Sequence, residues 1–268
     1  MKENGARQLG ISGFSLVEIA VVLVIISVLV TIVAVPLATQ MEQRRAEETQ
    51  KQLESIKEAI YGFAMANGRL PCPATSAGGT EAQVSAGVCT TDSGFVPGIT
   101  LGLSGLDNLG FVVDGWRDGL DARRMRYAVR SVSVTSGPPA PPAQCTPPLT
   151  RVLTTSGGMQ RATMDCLSQA AVGMLTVNTT IITPPLPGTC TASVLTTKAP
   201  FVIFSLGKNG LTTGTGADET KNLATNAVTF VSNTPTIAAS CAGEFDDIVT
   251  WGSLNTLFAR MVQAGKLP

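Results

Sequence analysis

The chain of 268 residues contains no histidine. That absence removes Ser-His-Asp and Cys-His catalysis, and with them every His-ligated zinc, copper or haem centre. Charge is scarce, at 14% of residues, and balanced, with 19 basic against 19 acidic side chains. A neutral chain lacks the electrostatic attraction that drives nucleic-acid binding, so no nucleic-acid partner is expected. Aromatic residues make up only 5%. None of the six cysteines stands in a C-x-x-C pair, which argues against a zinc knuckle or a thioredoxin-type site. The Ser205–Gly210 stretch "SLGKNG" lacks the spacing of a phosphate loop, and neither "GISG" nor "GLSG" is a nucleophile elbow. No enzymatic activity is expected, and no catalytic residue is assigned.

What the chain does have is one concentrated apolar block. From Ile19 to Ala38 it reads IAVVLVIISVLVTIVAVPLA, without a charge. At about 1.5 Å per residue such a run spans roughly 30 Å, the thickness of a bilayer core. It is longer than the apolar region of a secretory signal peptide, and it continues into an amphipathic helix. A membrane span is therefore expected, with membrane lipids as its surroundings. Ahead of it stands "GFSLVE", Gly13 to Glu18. Glu18 lies inside a stretch that is otherwise apolar from Phe14 onward. At that depth an unpaired carboxylate costs on the order of 2.5–3.5 kcal/mol, which marks it as a functional candidate.

Past Pro36 the sequence turns polar but keeps helical spacing, with Ala46, Leu53, Ile56, Ile60, Phe63 and Ala64 on one stripe. Asn67 and Gly68 supply a helix end. A helix from Phe14 to about Ala66 would be roughly 80 Å long, apolar all round in its first half and one-sided in its second. The remainder reads as β-rich. Arg126–Thr135, Gly173–Thr183, Phe201–Leu206, Ala227–Ser232 and Asp247–Trp251 carry β-branched or alternating runs between Gly, Pro and Asn. Ser136–Pro148 is a proline-rich loop. Ser253–Ala264 has Leu254, Leu257, Phe258, Met261 and Val262 at the spacing of a short closing helix. Cys72, Cys89, Cys145, Cys166, Cys190 and Cys241 all lie beyond the apolar block, an even set that suits disulfides outside the cytoplasm; proximity favours Cys72 with Cys89.

"GFSLVE" leading directly into a long apolar helix resembles the processing signal of type IV pilins and type II secretion pseudopilins. The resemblance implies an α+β fold: a long N-terminal helix, transmembrane in its first half, packed on a small antiparallel sheet like a lollipop. It divides the chain into a leader (1–13), a transmembrane and filament-core helix (14–38), an amphipathic half-helix (39–67) and a periplasmic head (68–268). The head carries a Pro/Gly/Thr-rich insertion at about 131–199, for which the family offers no counterpart. It further implies cleavage after Gly13 by a prepilin peptidase, N-methylation of Phe14 and an assembly role for Glu18. The implied location is the bacterial inner membrane, crossed once. The implied partners are that peptidase and methylase, other pilin-like subunits and an inner-membrane assembly platform.

Two further stretches, "DGWRDGLDARRMRYAV" (Asp114–Val129) and "SLGKNGLTTGTG" (Ser205–Gly216) with "FDDIVTW" (Phe245–Trp251), are similar to the major pseudopilin. In that family the C-terminal loop binds calcium. The resemblance implies Asp247 as a calcium ligand, with Asp246 and Asp218 as further acids; the alternative is a disulfide-closed loop in which Asp247 serves as a turn or cap residue. A structural calcium is thus the only cofactor in view. Two other functions remain open: a minor pilin of a surface fibre for adhesion, motility or DNA uptake, and a signal-anchored periplasmic enzyme or binding protein.

Overall fold

The strand Phe201–Ser205 (FVIFS) is buried at every position, because it runs through the middle of three layers. The computed structural model describes residues 15–85, 87–117, 123–130, 151–161, 174–185, 187–210, 216–224 and 227–267, the side chains of 31–38 excepted. It is an α+β protein in two units, Met1–Arg44 and Arg45–Pro268.

In the first unit the described residues belong to helix α1 (Leu16–Asn67) and its entry at Ser15. Every described side chain from Ser15 to Val30 is exposed. Among the described residues no helix is long and apolar enough to cross a membrane. The expected span extends through 31–38, whose side chains lie outside the described residues.

The second unit is built on the remainder of α1. Leu53, Ile56, Ile60 and Ala64 of the expected stripe are buried, joined by Thr49 and Tyr61. Each buried aliphatic side chain stabilises by roughly 1.5–3 kcal/mol. Ala46 and Phe63 are only half-buried. The helix ends at Asn67, and Gly68 takes φ +70°, the left-handed conformation that glycine tolerates at a helix end. Gly115 packs on this helix so closely that a Cβ there would lie 2.4 Å from the Arg45 carbonyl oxygen; its N–H donates to Thr49 Oγ1 at 2.9 Å.

The central sheet has the order β3 (Ser93–Phe95), β4 (Arg126–Val129), β7 (Phe201–Ser205), β9 (Ile248–Trp251), antiparallel throughout. Alternation along β4 and β7 divides the core. Tyr127, Val129, Phe201 and Ile203 pack with α1 and with Leu254, Leu257, Phe258 and Met261 of the C-terminal helix α4 (Leu254–Gln263). Ala128, Val202 and Phe204 pack with Leu175, Val177 and Phe230 on the other side. Those last three belong to a second sheet, ordered β6 (Thr189–Ala199), β5 (Leu175–Thr183), β8 (Thr229–Val231). Here β5 and β6 are antiparallel, whereas β5 and β8 are parallel, a departure from the purely antiparallel expectation. A small ribbon, β1 (Gln83–Ser85) with β2 (Val88–Cys89), completes the strands, and α2 (Gly158–Arg161) and α3 (Ala217–Leu223) are short helices.

All five expected strands contain a strand, with shorter bounds. β4 ends at Val129, and 131–135 lie outside the described residues, as does the proline-rich loop. Residues 174–199 of the expected insertion supply β5 and β6, two of the three strands of the second sheet. Val262 does not join the buried face of α4; it is 51% exposed, on the solvent side of the last turn. Cys72–Cys89 is a disulfide, as favoured, and Cys190–Cys241 is another. Cys145 and Cys166 lie outside the described residues.

Candidate functional site

Gly13 and Phe14 lie outside the described residues. Glu18 stands in the first turn of α1, its N–H bonded to the Ser15 carbonyl at 3.0 Å, and it is exposed on a surface of exposed Leu, Val and Ile. Glu18 thus stands at the start of a helix whose described apolar side chains from Leu16 to Val30 are exposed.

In the second unit three segments meet around a group of carboxylates. The first is the turn after β7. Ser205 Oγ donates to Asp114 Oδ2 at 2.8 Å and accepts from Gly207 N–H at 3.1 Å, so the turn is closed on the "DGW" segment. Gly207 has φ +62°, and a Cβ there would lie 2.3 Å from the Asp246 carbonyl oxygen. Only glycine lets this turn pass so close to the chain before β9. Buried Arg123 donates to the carbonyls of Gly207 and Lys208. Asp114, buried beneath, is raised above the usual carboxylate range by burial, although Ser205, Trp116 N–H and Arg123 all favour its charged form.

The second segment is the start of α3. Gly216 caps it, and Glu219 Oε2 accepts the Gly216 N–H at 3.4 Å, the one half of a capping box that a glycine, without a side chain of its own, allows. Glu219 is 1% exposed and also accepts from Asn209 Nδ2 and from Asp246 N–H at 2.9 Å. The third segment is Asp246–Asp247, entering β9. Asp247 is buried and accepts from Asn222 Nδ2 at 2.7 Å. One oxygen from each of Glu219, Asp246 and Asp247 lies within 4.8 Å of the others.

Three carboxylates this close repel one another. Asp247 is pushed up to about 7, first by burial and then by the charges of Glu219 and Asp246, against the opposing bond from Asn222. Asp246 is pushed up to about 6, again first by burial, with Glu219 and Glu244 adding to it. Its Oδ1 is buried and has no hydrogen-bond partner among the described residues. The group is short of positive charge, which suits a hard cation with carboxylate ligands. The carbonyl side of the expected loop is different. The Gly207 and Lys208 oxygens each accept from the Arg123 guanidinium, whose positive charge opposes a cation beside them, so the carboxylates are the better-placed oxygens.

The structure therefore brings Asp246 and Asp247 together and adds Glu219, which sequence reasoning missed; its one signal is the G-x-x-E cap spacing from Gly216. Asp218 does not belong to the group. It accepts from Thr180 Oγ1 at 2.6 Å, Asn233 Nδ2 at 3.0 Å and Lys221 Nζ at 2.7 Å. Burial pushes its carboxyl up, but those three donors outweigh burial and hold it below the usual value. It is a structural tie between α3 and the second sheet. The Asp247 carboxylate is buried in the group and accepts from the Asn222 side chain, and the loop ahead of it is closed by the Cys190–Cys241 disulfide. No family model, no curated protein and no solved structure matches the chain.

Proposed function

We propose that the chain is a subunit of a type IV pilin-like filament, most closely a type II secretion pseudopilus. It is made as a precursor, cleaved after Gly13 and methylated on the new Phe14 amine. The segment 14–38 holds it in the inner membrane, and residues from 68 onward form a periplasmic head. The supporting observation is the run of Gly13, Phe14 and Glu18 immediately ahead of an apolar helix. That helix continues into the amphipathic stretch which, in the second unit, packs under a four-stranded sheet. Disulfides among the described cysteines agree with a head outside the cytoplasm.

Chemically, cleavage creates an ammonium at Phe14, four residues from Glu18. Two charges in an apolar bundle are costly apart and much less so as a pair, so Glu18 of an incoming subunit neutralises the Phe14 amine of its neighbour. The force for assembly comes from other proteins. Within this reading, Glu219, Asp246 and Asp247 would hold a structural divalent cation that screens their repulsion. Co-expression with a prepilin peptidase followed by intact-mass measurement tests the proposal. Loss of residues 1–13 with gain of one methyl group is expected; a full-length, unmodified chain overturns it.

A further inference from the structure

The two disulfides among the described residues sit in opposite surroundings. Cys72 is fully buried and Cys89 nearly so, both within the core that contains Leu70 and Val96. Cys72 N–H is also bonded to Glu81, itself paired with Arg69, so this bridge is enclosed by a polar clasp as well as by the core. Cys190 and Cys241 are both exposed. Cys190 is the second residue of β6, opposite Ile182 at the end of the β5–β6 hairpin. β6 is an edge strand among the described residues, with exposed Thr189, Thr191 and Ala192 beside the cysteine and no acidic side chain along its length. β6 itself therefore sets no negative charge against an approaching thiolate.

We propose that Cys190–Cys241 is a thiol–disulfide exchange site, open in the folded protein to a dithiol reductant, whereas Cys72–Cys89 is closed to it. Exchange proceeds by attack of a thiolate along the S–S axis, so access to a sulfur decides which bridge reacts. The reductant's thiolate attacks one cysteine sulfur, a mixed disulfide forms, and the S–S bond breaks with its electron pair leaving on the other sulfur. The second thiol of the reductant then displaces the attached cysteine and closes the reductant's own disulfide. The cystine is reduced by two electrons and the dithiol oxidised by two, and its two protons end on the two cysteines.

Opening this bridge has a defined structural consequence. The bridge joins the hairpin end to the loop between Thr236 and Phe245, directly ahead of Asp246. That loop keeps other ties: the backbone pair between Thr236 and Phe245 at 2.9 and 3.2 Å, the Thr236 Oγ1 and Ser240 Oγ bonds to the Gly243 carbonyl, and the fully buried Phe245 ring. The opened form therefore stays folded: the hairpin end loses its covalent tie to the loop but keeps the bond from Cys241 N–H to the Pro187 carbonyl at 2.6 Å, and the reaction is reversible.

The test uses the full chain in detergent under native conditions, treated with dithiothreitol, quenched by alkylation at intervals and mapped by peptide mass. Cys190 and Cys241 are expected to alkylate about tenfold or more faster than Cys72 and Cys89, since exposed disulfides are the labile ones. In denaturant the difference should vanish. Equal native rates, faster opening of Cys72–Cys89, or a preference that persists after denaturation would each overturn the proposal. The double variant Cys190→Ser/Cys241→Ser should retain the far-ultraviolet circular dichroism of the parent; should it fail to fold, the parent's alkylation rates still decide.

Discussion

Asn222 donates from Nδ2 to Asp247 Oδ2 at 2.7 Å, and the same side-chain amide pairs with both backbone polar groups of Val231. One residue of α3 thus imitates a strand partner for β8 while satisfying a carboxylate at the start of β9. All these groups are buried, so their bonds have no replacement from water.

Asn222→Ala removes three hydrogen bonds and leaves the Asp247 carboxylate and the Val231 backbone without these partners. Unsatisfied buried groups carry most of the cost, so a loss of about 2–4 kcal/mol is expected. Urea unfolding followed by circular dichroism measures it. A loss within about 0.5 kcal/mol, the range of an ordinary surface change, would show that the amide is dispensable.

The raised carboxylates give a pH dependence of unusual sign. Asp246 and Asp247 hold protons more tightly folded than unfolded, at about 6 and about 7 against an ordinary 3.8. Between those limits the folded state binds more protons, so without a bound cation stability falls as pH rises. Glu81, Asp107 and Asp218 are shifted downward in the folded state. Their stabilisation is lost only as pH falls through their own lowered values. In chelator, the melting temperature should therefore rise as pH is lowered from about 8 to about 5 and fall again below about 4. Asp247→Asn should flatten the upper limb and leave the lower one in place. An upper limb with the same slope in the variant would place its origin elsewhere.

Calcium should act on the same three residues. A ligand that binds only the folded chain stabilises it by about 2.7 kcal/mol at a hundred times its Kd. Calcium added at about pH 8 should raise the melting temperature, and either Glu219→Gln or Asp247→Asn should abolish that rise, because each removes one of few available oxygens. No calcium effect on the parent would leave the three carboxylates as an internal repulsion, and the cation reading would fall.

What the sequence made legible follows from periodicity. The stripe Leu53, Ile56, Ile60 and Ala64 is buried as its spacing requires, and the Asn67–Gly68 end falls where expected. β7 stood out because burial on both faces selects a continuous apolar run. β6, the longest strand, gave no such signal. It is exposed at nearly every position, so neither of its faces selects a run of apolar residues, and although its Thr and Val favour a strand they show no alternation to mark one. The carboxylate group was half legible. Adjacent Asp246 and Asp247 could be seen, but Glu219 comes from α3, and only the fold brings that helix to β9. Asp218, its neighbour, faces Thr180 and Asn233 instead, a choice that no spacing in a seven-residue helix announces.

The N-terminal reading makes the most discriminating prediction. Glu18→Ala leaves Gly13, Phe14 and the apolar run untouched, so processing and membrane insertion should proceed as in the parent. If Glu18 pairs with a neighbour's Phe14 amine as proposed, only that pairing would be lost, leaving one unpaired ammonium per subunit in an apolar bundle at a cost on the order of 2.5–3.5 kcal/mol on insertion scales. Assembly should drop by about a hundredfold at that cost. Glu18→Gln separates charge from shape: it keeps the side chain's volume and loses the ion pair, so it should assemble as poorly as the alanine variant. Sedimentable filament after co-expression with the assembly machinery is the readout, with intact mass as the control for processing. Normal filaments from Glu18→Gln would mean that the carboxylate is not what draws one subunit to the next.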